Sequence, residues 1–324
     1  MTGPSEAELT RLLAKVRRVP DRHRVFTETP RAARRTYRVG DELLARLLDL
    51  GLPSRYVGDE LRLDPLDLRN VAIALRLNAP WFVAMRWWAA ALRESRDRRS
   101  ATYRLDVHTR CPDCGRDGGC VASASAHLTA AAAEVRPRPG GRADLAVTVR
   151  LTGRPEPLPE PVAEVTRVAD GVEWHLLPYA LDRDLGFLRE TGLADCRLMA
   201  HHLHREARRR GLTSRRCHGL IVCSPFSRPH DWVEFEVAGR WLPADPLLMT
   251  SMAAWGYLDP AEWPPHTAPS GTLWRVADEE VPLVTHGDRP AWLTLPTTRL
   301  PEPEPESAPG PEPAPDGDRA APGR

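Results

Sequence analysis

Apolar and polar residues change rhythm along this chain, and the changes outline its elements. In the first hundred residues the apolar positions recur every three or four residues. This predicts a helix over 6–18, then a basic loop to residue 36, then a helical region over 41–98. Within that region Asp41 caps a short amphipathic helix that ends at Gly51, and Asp64-Pro65 starts a second helix carrying Leu66, Val71, Ile73, Ala74 and Leu77. A third follows Pro80 with Trp81, Phe82, Met85, Trp88, Ala89 and Leu92, aromatic spacing that reads as core. From residue 101 the period drops to two. Residues 101–108, 143–151, 172–177 and 219–222 read as strands, with a proline-rich connection at 154–161. The 3.6 period returns once, over 193–211, where Cys196, Met199, Ala200, Leu203 and Ala207 form one stripe. Arg197, His201, Arg205, Arg208 and Arg209 form the opposite face. Alternation then resumes over 231–237, and Ala238-Gly239 turns the chain into Arg240-Trp241-Leu242-Pro243. Over 106–295 the pattern is α+β, with one key helix against an antiparallel sheet.

That helix brings in chemistry. Asp195 is a good N-cap, so Cys196 falls in the first turn. A thiol there meets the positive end of the helix dipole, which favours thiolate, and first-turn N–H groups suit an oxyanion. His230 lies in phase with Trp232, Glu234 and Glu236, and Asp245 follows the second strand of the hairpin. The hairpin makes these two neighbours near its open end, where a hydrogen bond between them is geometrically reasonable. Cys, His and Asp together are the parts of a nucleophilic acyl-transfer site: Cys196 attacks, His230 takes the proton, and Asp245 orients His230.

The segments Ala194-Asp195-Cys196-Arg197-Leu198-Met199-Ala200, His230-Asp231-Trp232-Val233-Glu234 and Gly239-Arg240-Trp241-Leu242-Pro243-Ala244-Asp245-Pro246 resemble the transglutaminase-like superfamily over roughly residues 180–250. The resemblance implies a papain-related core, with the nucleophile helix packed on an antiparallel sheet. It also implies a Cys196-His230-Asp245 triad and a peptide, protein or small-molecule acyl substrate. Hydrolysis, transamidation and peptide or natural-product maturation all fall within the superfamily's range, as do inactive scaffolds. Asp231 departs from the pattern, which places a small residue there; a carboxylate beside the base would raise the base's pKa.

A second cysteine cluster lies at His108-Thr109-Arg110-Cys111-Pro112-Asp113-Cys114, with Cys120 six residues on. The C-x2-C pair followed by Gly115 has the shape of a zinc knuckle. Cys111, Cys114, Cys120 and His108 make four candidate ligands, with His127 as a substitute. Plain reduced thiols and a redox C-x-x-C are the competing readings, although no thioredoxin-like strand and helix surrounds the pair. His201, His202 and His204 read as a solvated basic face rather than a metal site, and Cys217 and Cys223 as core thiols.

Composition bounds the rest. With 324 residues, the chain divides into a helical region over 1–100, an α+β domain over 101–295 and a Pro/Glu-rich tail over 296–324. The tail lacks apolar bulk and is expected to be disordered. A net charge of +1 gives no field for nucleic acid or an acidic membrane. Lys15 is the sole lysine, and Arg carries the remaining positive charge. The first residues do not read as a signal peptide, and no apolar run is long enough to span a bilayer. A cytoplasmic enzyme with reduced thiols and no catalytic cofactor is the expectation. Two others compete: an inactive scaffold that binds a partner protein, and a redox or metal-handling protein built on Cys111, Cys114 and Cys120.

Overall fold

The structure is a computed structural model that describes residues 3–112, 121–129, 132–138 and 142–301. The tail from residue 302 onward lies outside the described residues.

Helices dominate the first third: Glu6–Val16, Pro30–Thr36, Asp41–Asp49, Pro65–Ala74 and Pro80–Arg96. Asp64 caps the fourth by accepting the N–H groups of Leu66 and Asp67, and Pro65 stands at its first position, where no N–H is needed. Leu9, Leu13, Leu44, Leu47, Leu68 and Val71 close a core of their own. A hairpin, Ser54–Val57 with Glu60–Leu63, interrupts this helical region. Periodicity gave no sign of it because all four residues of its first strand are exposed. The Pro80–Arg96 helix faces elsewhere. Met85, Trp88 and Leu92 pack with Leu248, Met249, Met252 and Trp263.

The two largest sheets that follow are antiparallel. The larger is built on the long strands Ser100–Arg110 and Arg142–Thr152, paired along their full length. The other carries the site. Its strand order is Arg240–Ala244, Arg228–Val237, Ser214–Ile221 and Leu273–Ala277. Ala238 and Gly239 make its hairpin turn at positive φ, 49° and 75°. The 172–177 segment is shorter than its alternation predicts. Only Glu173–Trp174 forms a strand, running parallel to Leu193–Ala194.

Register fixes which side chains share a face, because residues directly opposite in an antiparallel pair point the same way. Asp231 lies opposite His218, Val233 opposite Ala244, and Phe235 opposite Leu242. That face receives the Cys196–Arg209 helix, whose Leu198, Met199 and Leu203 pack on Val233, Phe235 and Leu242. The other face carries His230 opposite Gly219 and Trp232 opposite Cys217. Gly219 is required there: a Cβ would sit 2.0 Å from the Trp274 carbonyl oxygen and 2.9 Å from the Trp232 ring. The mixed helix-and-sheet class with antiparallel sheets agrees with the pattern in the sequence.

Candidate active site

Strand Leu193–Ala194 delivers the chain to Asp195, whose carboxylate caps the next helix. Asp195 Oδ1 accepts the N–H groups of Arg197 and Leu198, each at 3.1 Å. Cys196 is therefore the first residue of the Cys196–Arg209 helix. The cap also engages two of the first-turn N–H groups, so fewer are left to meet an oxyanion than helix position alone predicts. Arg197 folds back onto Asp195, Nε to Oδ2 at 3.0 Å, and its guanidinium lies 4.2 Å from the centre of the Tyr179 ring.

His230 and Asp245 are joined by a hydrogen bond between Nε2 and Oδ2. The carboxylate accepts, so Nε2 carries the proton and Nδ1 is the ring nitrogen able to take one. Asp245 is fixed from its other oxygen as well. It caps the Pro246–Ala254 helix, with Oδ1 accepting the Leu248 N–H at 2.9 Å. Both residues are buried. Three indoles surround His230. Trp232 and Trp174 stack against it with planes 14° and 5° apart, and Trp88 is tilted at 53°.

The sulfur's hydrogen-bond partner is Asp231. Cys196 Sγ lies 4.0 Å from Asp231 Oδ2, and Asp231 Oδ1 lies 3.2 Å from His218 Nδ1. Among the described residues no hydrogen bond joins Cys196 to His230. Asp231 thus points away from His230, to the opposite face of its own strand, so the carboxylate adjacent in sequence to His230 attends Cys196. Sequence reasoning missed His218 altogether. The signal was available in register, since pairing these strands with Cys217 opposite Trp232 places His218 opposite Asp231.

These contacts overturn one expectation. Helix position alone favours a thiolate at Cys196, yet its pKa is pushed well above the ordinary thiol value. Burial is the largest cause, then the Asp231 and Asp195 carboxylates; Arg197 and the Asp231 backbone N–H pull the other way. Two like charges 4 Å apart cost about 4 kcal/mol at an effective dielectric near 20, more than a helix terminus offsets. Cys217 and Cys223 are also raised, both mainly by burial, in keeping with core thiols.

A cleft of about 620 Å³ opens beside this centre, between the Glu6–Val16 and Pro65–Ala74 helices and the Pro246–Ala254 helix. Trp174, His175 and Trp255 line it, with Arg11, Lys15 and Arg76. Trp174 connects the cleft to His230. His175 is 3% exposed, its Nε2 has no hydrogen-bond partner, and burial drives its pKa down to about 3.

The candidate zinc ligands are only partly described. Cys114 and Cys120 lie outside the described residues, as does the His127 side chain. His108 stands on the exposed face of its strand with Nδ1 at 2.8 Å from Asp144 Oδ1, whereas Cys111 is buried. Among the described residues, no three His, Cys, Asp or Glu side chains gather as a metal site. On the Cys196–Arg209 helix, His204 is tied to Ser214 at 3.0 Å. No helix among the described residues is long and apolar enough to cross a membrane.

No protein-family model matches the chain, and no curated protein matches it. Among solved structures, a candidate cysteine protease from Cytophaga hutchinsonii aligns with 62% of this chain and 89% of its own, at 12% identity and a TM-score of 0.28.

Proposed function

We propose that this chain is a transglutaminase-like cysteine enzyme performing acyl transfer on an amide, peptide or ester. The observation that carries the reading is the His230–Asp245 pair, buried under indoles, with His230 on the same strand as Asp231, which touches Cys196. An imidazole whose Nε2–H is held by a carboxylate presents Nδ1 as a base, the orientation a nucleophilic thiol requires. In the proposed cycle Cys196 Sγ attacks the acyl carbonyl and its proton passes to His230 Nδ1, which requires substrate binding to bring together two side chains that this structure holds on opposite faces of the strand. His230 then returns that proton to the leaving amine or alkoxide, giving a thioester on Cys196. Water or an amine resolves the thioester, so the same site supports hydrolysis or transamidation. The Cys196 N–H, at the first helical position and not used by the Asp195 cap, is the backbone donor placed for the oxyanion. The 620 Å³ cleft beside Trp174 is the proposed seat of a peptide or small-molecule substrate.

The test is incubation with p-nitrophenyl acetate, followed by peptide mapping. An acetyl group on Cys196, absent in Cys196→Ala, supports the reading. Release of p-nitrophenol at equal rates by both proteins overturns it. The contact of the sulfur with Asp231 favours a second reading, in which the fold is kept as a non-catalytic scaffold that binds a partner protein. Wild-type protein that never acquires the acetyl group on Cys196 would decide for it.

The 108–120 segment is proposed to hold a structural zinc through Cys111, Cys114 and Cys120. With His108 Nδ1 engaged by Asp144, Nε2 is the ring nitrogen that would complete the set. A cytoplasmic location, where these thiols stay reduced, fits the same reading.

A further inference from the structure

Two titratable side chains that the proposed triad does not use form a connected line with Cys196. Cys196 Sγ, Asp231 and His218 Nδ1 follow one another at 4.0 and 3.2 Å across the face of the sheet that receives the nucleophile helix. Asp231 is 6% exposed and His218 4%. Each comes from a different element: the first turn of the Cys196–Arg209 helix, strand Arg228–Val237 and strand Ser214–Ile221.

A thiolate half-buried against a buried carboxylate at this distance would stand uncompensated, so the geometry favours a neutral S–H beside the carboxylate. The carboxylate is the better-supported anion of the two. Its Oδ1 accepts from the His218 imidazole, and its Oδ2 is available to the S–H. We infer that Asp231, tethered by His218, takes the Cys196 S–H as a hydrogen-bond donor and makes the sulfur surrender its proton only in the step of attack. The inference rests on the proposed role of Cys196 as nucleophile. Asp231 touches the reacting sulfur; His218 is a positioning residue that acts through Asp231.

The groups around the sulfur support this. On its own helix stand Asp195 and Arg197, which neutralise one another through their ion pair. Tyr179 lies under the Arg197 guanidinium and donates to Glu280 at 2.7 Å. On the neighbouring strand, His230 is turned to the other face and held by Asp245. With the Arg197 charge engaged by Asp195, none of these supplies an unshared cation at the sulfur. The step balances with the proposed base: the S–H bond breaks as the S–C bond forms, the proton passes to His230 Nδ1 once substrate has brought the two side chains together, and the sulfur lone pair enters the new bond. Asp231 stays a carboxylate throughout. This differs from a stored thiolate–imidazolium pair, in which the sulfur would be anionic before substrate arrives.

The test is the pH dependence of Cys196 alkylation by iodoacetamide on the full chain, located by peptide mapping. Removing the carboxylate in Asp231→Asn is expected to lower the midpoint by at least about one pH unit, so that Cys196 reacts about tenfold faster at pH 7. Asp231→Ser serves if the amide variant does not fold, with the same direction expected. His218→Gln keeps a side-chain N–H for Asp231 and is expected to follow the wild-type profile, whereas His218→Ala is expected to shift the midpoint downward. A folded Asp231→Asn protein with an unshifted or raised midpoint overturns the inference, and so does His218→Gln behaving like His218→Ala. Neither result touches the acyl-transfer reading, which fails separately if Cys196→Ala retains turnover.

Discussion

The Trp174 indole lies parallel to the His230 imidazole, their planes 5° apart and their centroids 6.4 Å apart. Trp174 belongs to a two-residue strand that pairs with Leu193–Ala194, the residues that lead directly into Asp195 and Cys196. One side chain therefore ties the approach to the Cys196–Arg209 helix to the ring of the proposed base, and it also walls the adjoining cleft.

Replacing that wall should loosen the imidazole without removing it. Trp174→Ala is expected to lower kcat roughly tenfold or less, in line with the ~0.5–1.5 kcal/mol of an aromatic pair, and Trp174→Phe should restore most of it. Steady-state kinetics with a synthetic acyl ester checks this. A loss confined to KM would show that Trp174 serves the cleft rather than His230.

His175 makes a stability prediction with a definite sign. Burial, then the charges of Lys15, Arg24 and Arg18, hold its folded pKa near 3, against 6.5 ordinarily. Below pH 6.5 the unfolded chain binds a proton there that the folded chain refuses. Stability therefore falls as pH drops from 6.5 toward 3, by about 1.4 kcal/mol per unit from this residue. His175→Gln does not titrate in this window. Urea denaturation between pH 4.5 and 7 should show the wild type losing stability faster than the variant as pH falls. Parallel curves would mean that His175 finds a proton-accepting partner on acidification.

Much of this architecture could be read from the chain because the signals were local. Asp64-Pro65, Asp195 and Ala238-Gly239 act on backbone groups two or three residues away, so capping and turn chemistry located their elements. The His230–Asp245 contact followed from hairpin register, which is also local. What escaped either had no turn signal to set its register or came from packing between elements. His218 meets Asp231 only once two strands separated by a cis Ser224-Pro225 turn are registered. The side of the strand on which Cys196 docks is decided by Leu198, Met199 and Leu203 burying themselves on Val233 and Phe235. The same packing reversed the expected electrostatics of the thiol: helix position favours an anion, and a carboxylate brought by another strand opposes it.

The cysteine cluster yields a prediction independent of the acyl-transfer site. Protein purified without added metal is expected to carry one zinc per chain by elemental analysis, and Cys114→Ser should lose it and melt earlier. His108→Ala should weaken binding less than any thiol change, since three thiolates would remain. Metal-free protein with an unchanged melting temperature would eliminate structural zinc and leave the Cys196 chemistry untouched.

The weights of Cys196, His230 and Asp245 should be unequal, because their chemical roles differ. Cys196→Ala is expected to abolish turnover, since no other group is placed to carry the thioester. His230→Ala should come close to that, because it removes both the acceptor of the thiol proton and the donor to the leaving group. The raised pKa of Cys196 sharpens this expectation: a sulfur held as a thiol depends on its base more than a stored thiolate would. Asp245→Ala should cost roughly 10² to 10⁴-fold, the range of an orienting carboxylate. Asp245 also caps the Pro246–Ala254 helix, so this variant should lose about 1 kcal/mol of stability as well. Asp245→Asn separates the two effects, since the amide oxygen still caps while the negative charge facing His230 is gone. Turnover of a synthetic acyl ester by each single variant and by Cys196→Ala/His230→Ala measures the coupling. A double variant no worse than Cys196→Ala alone means that the two residues work in one step; full activity in Cys196→Ala would end the enzymatic reading.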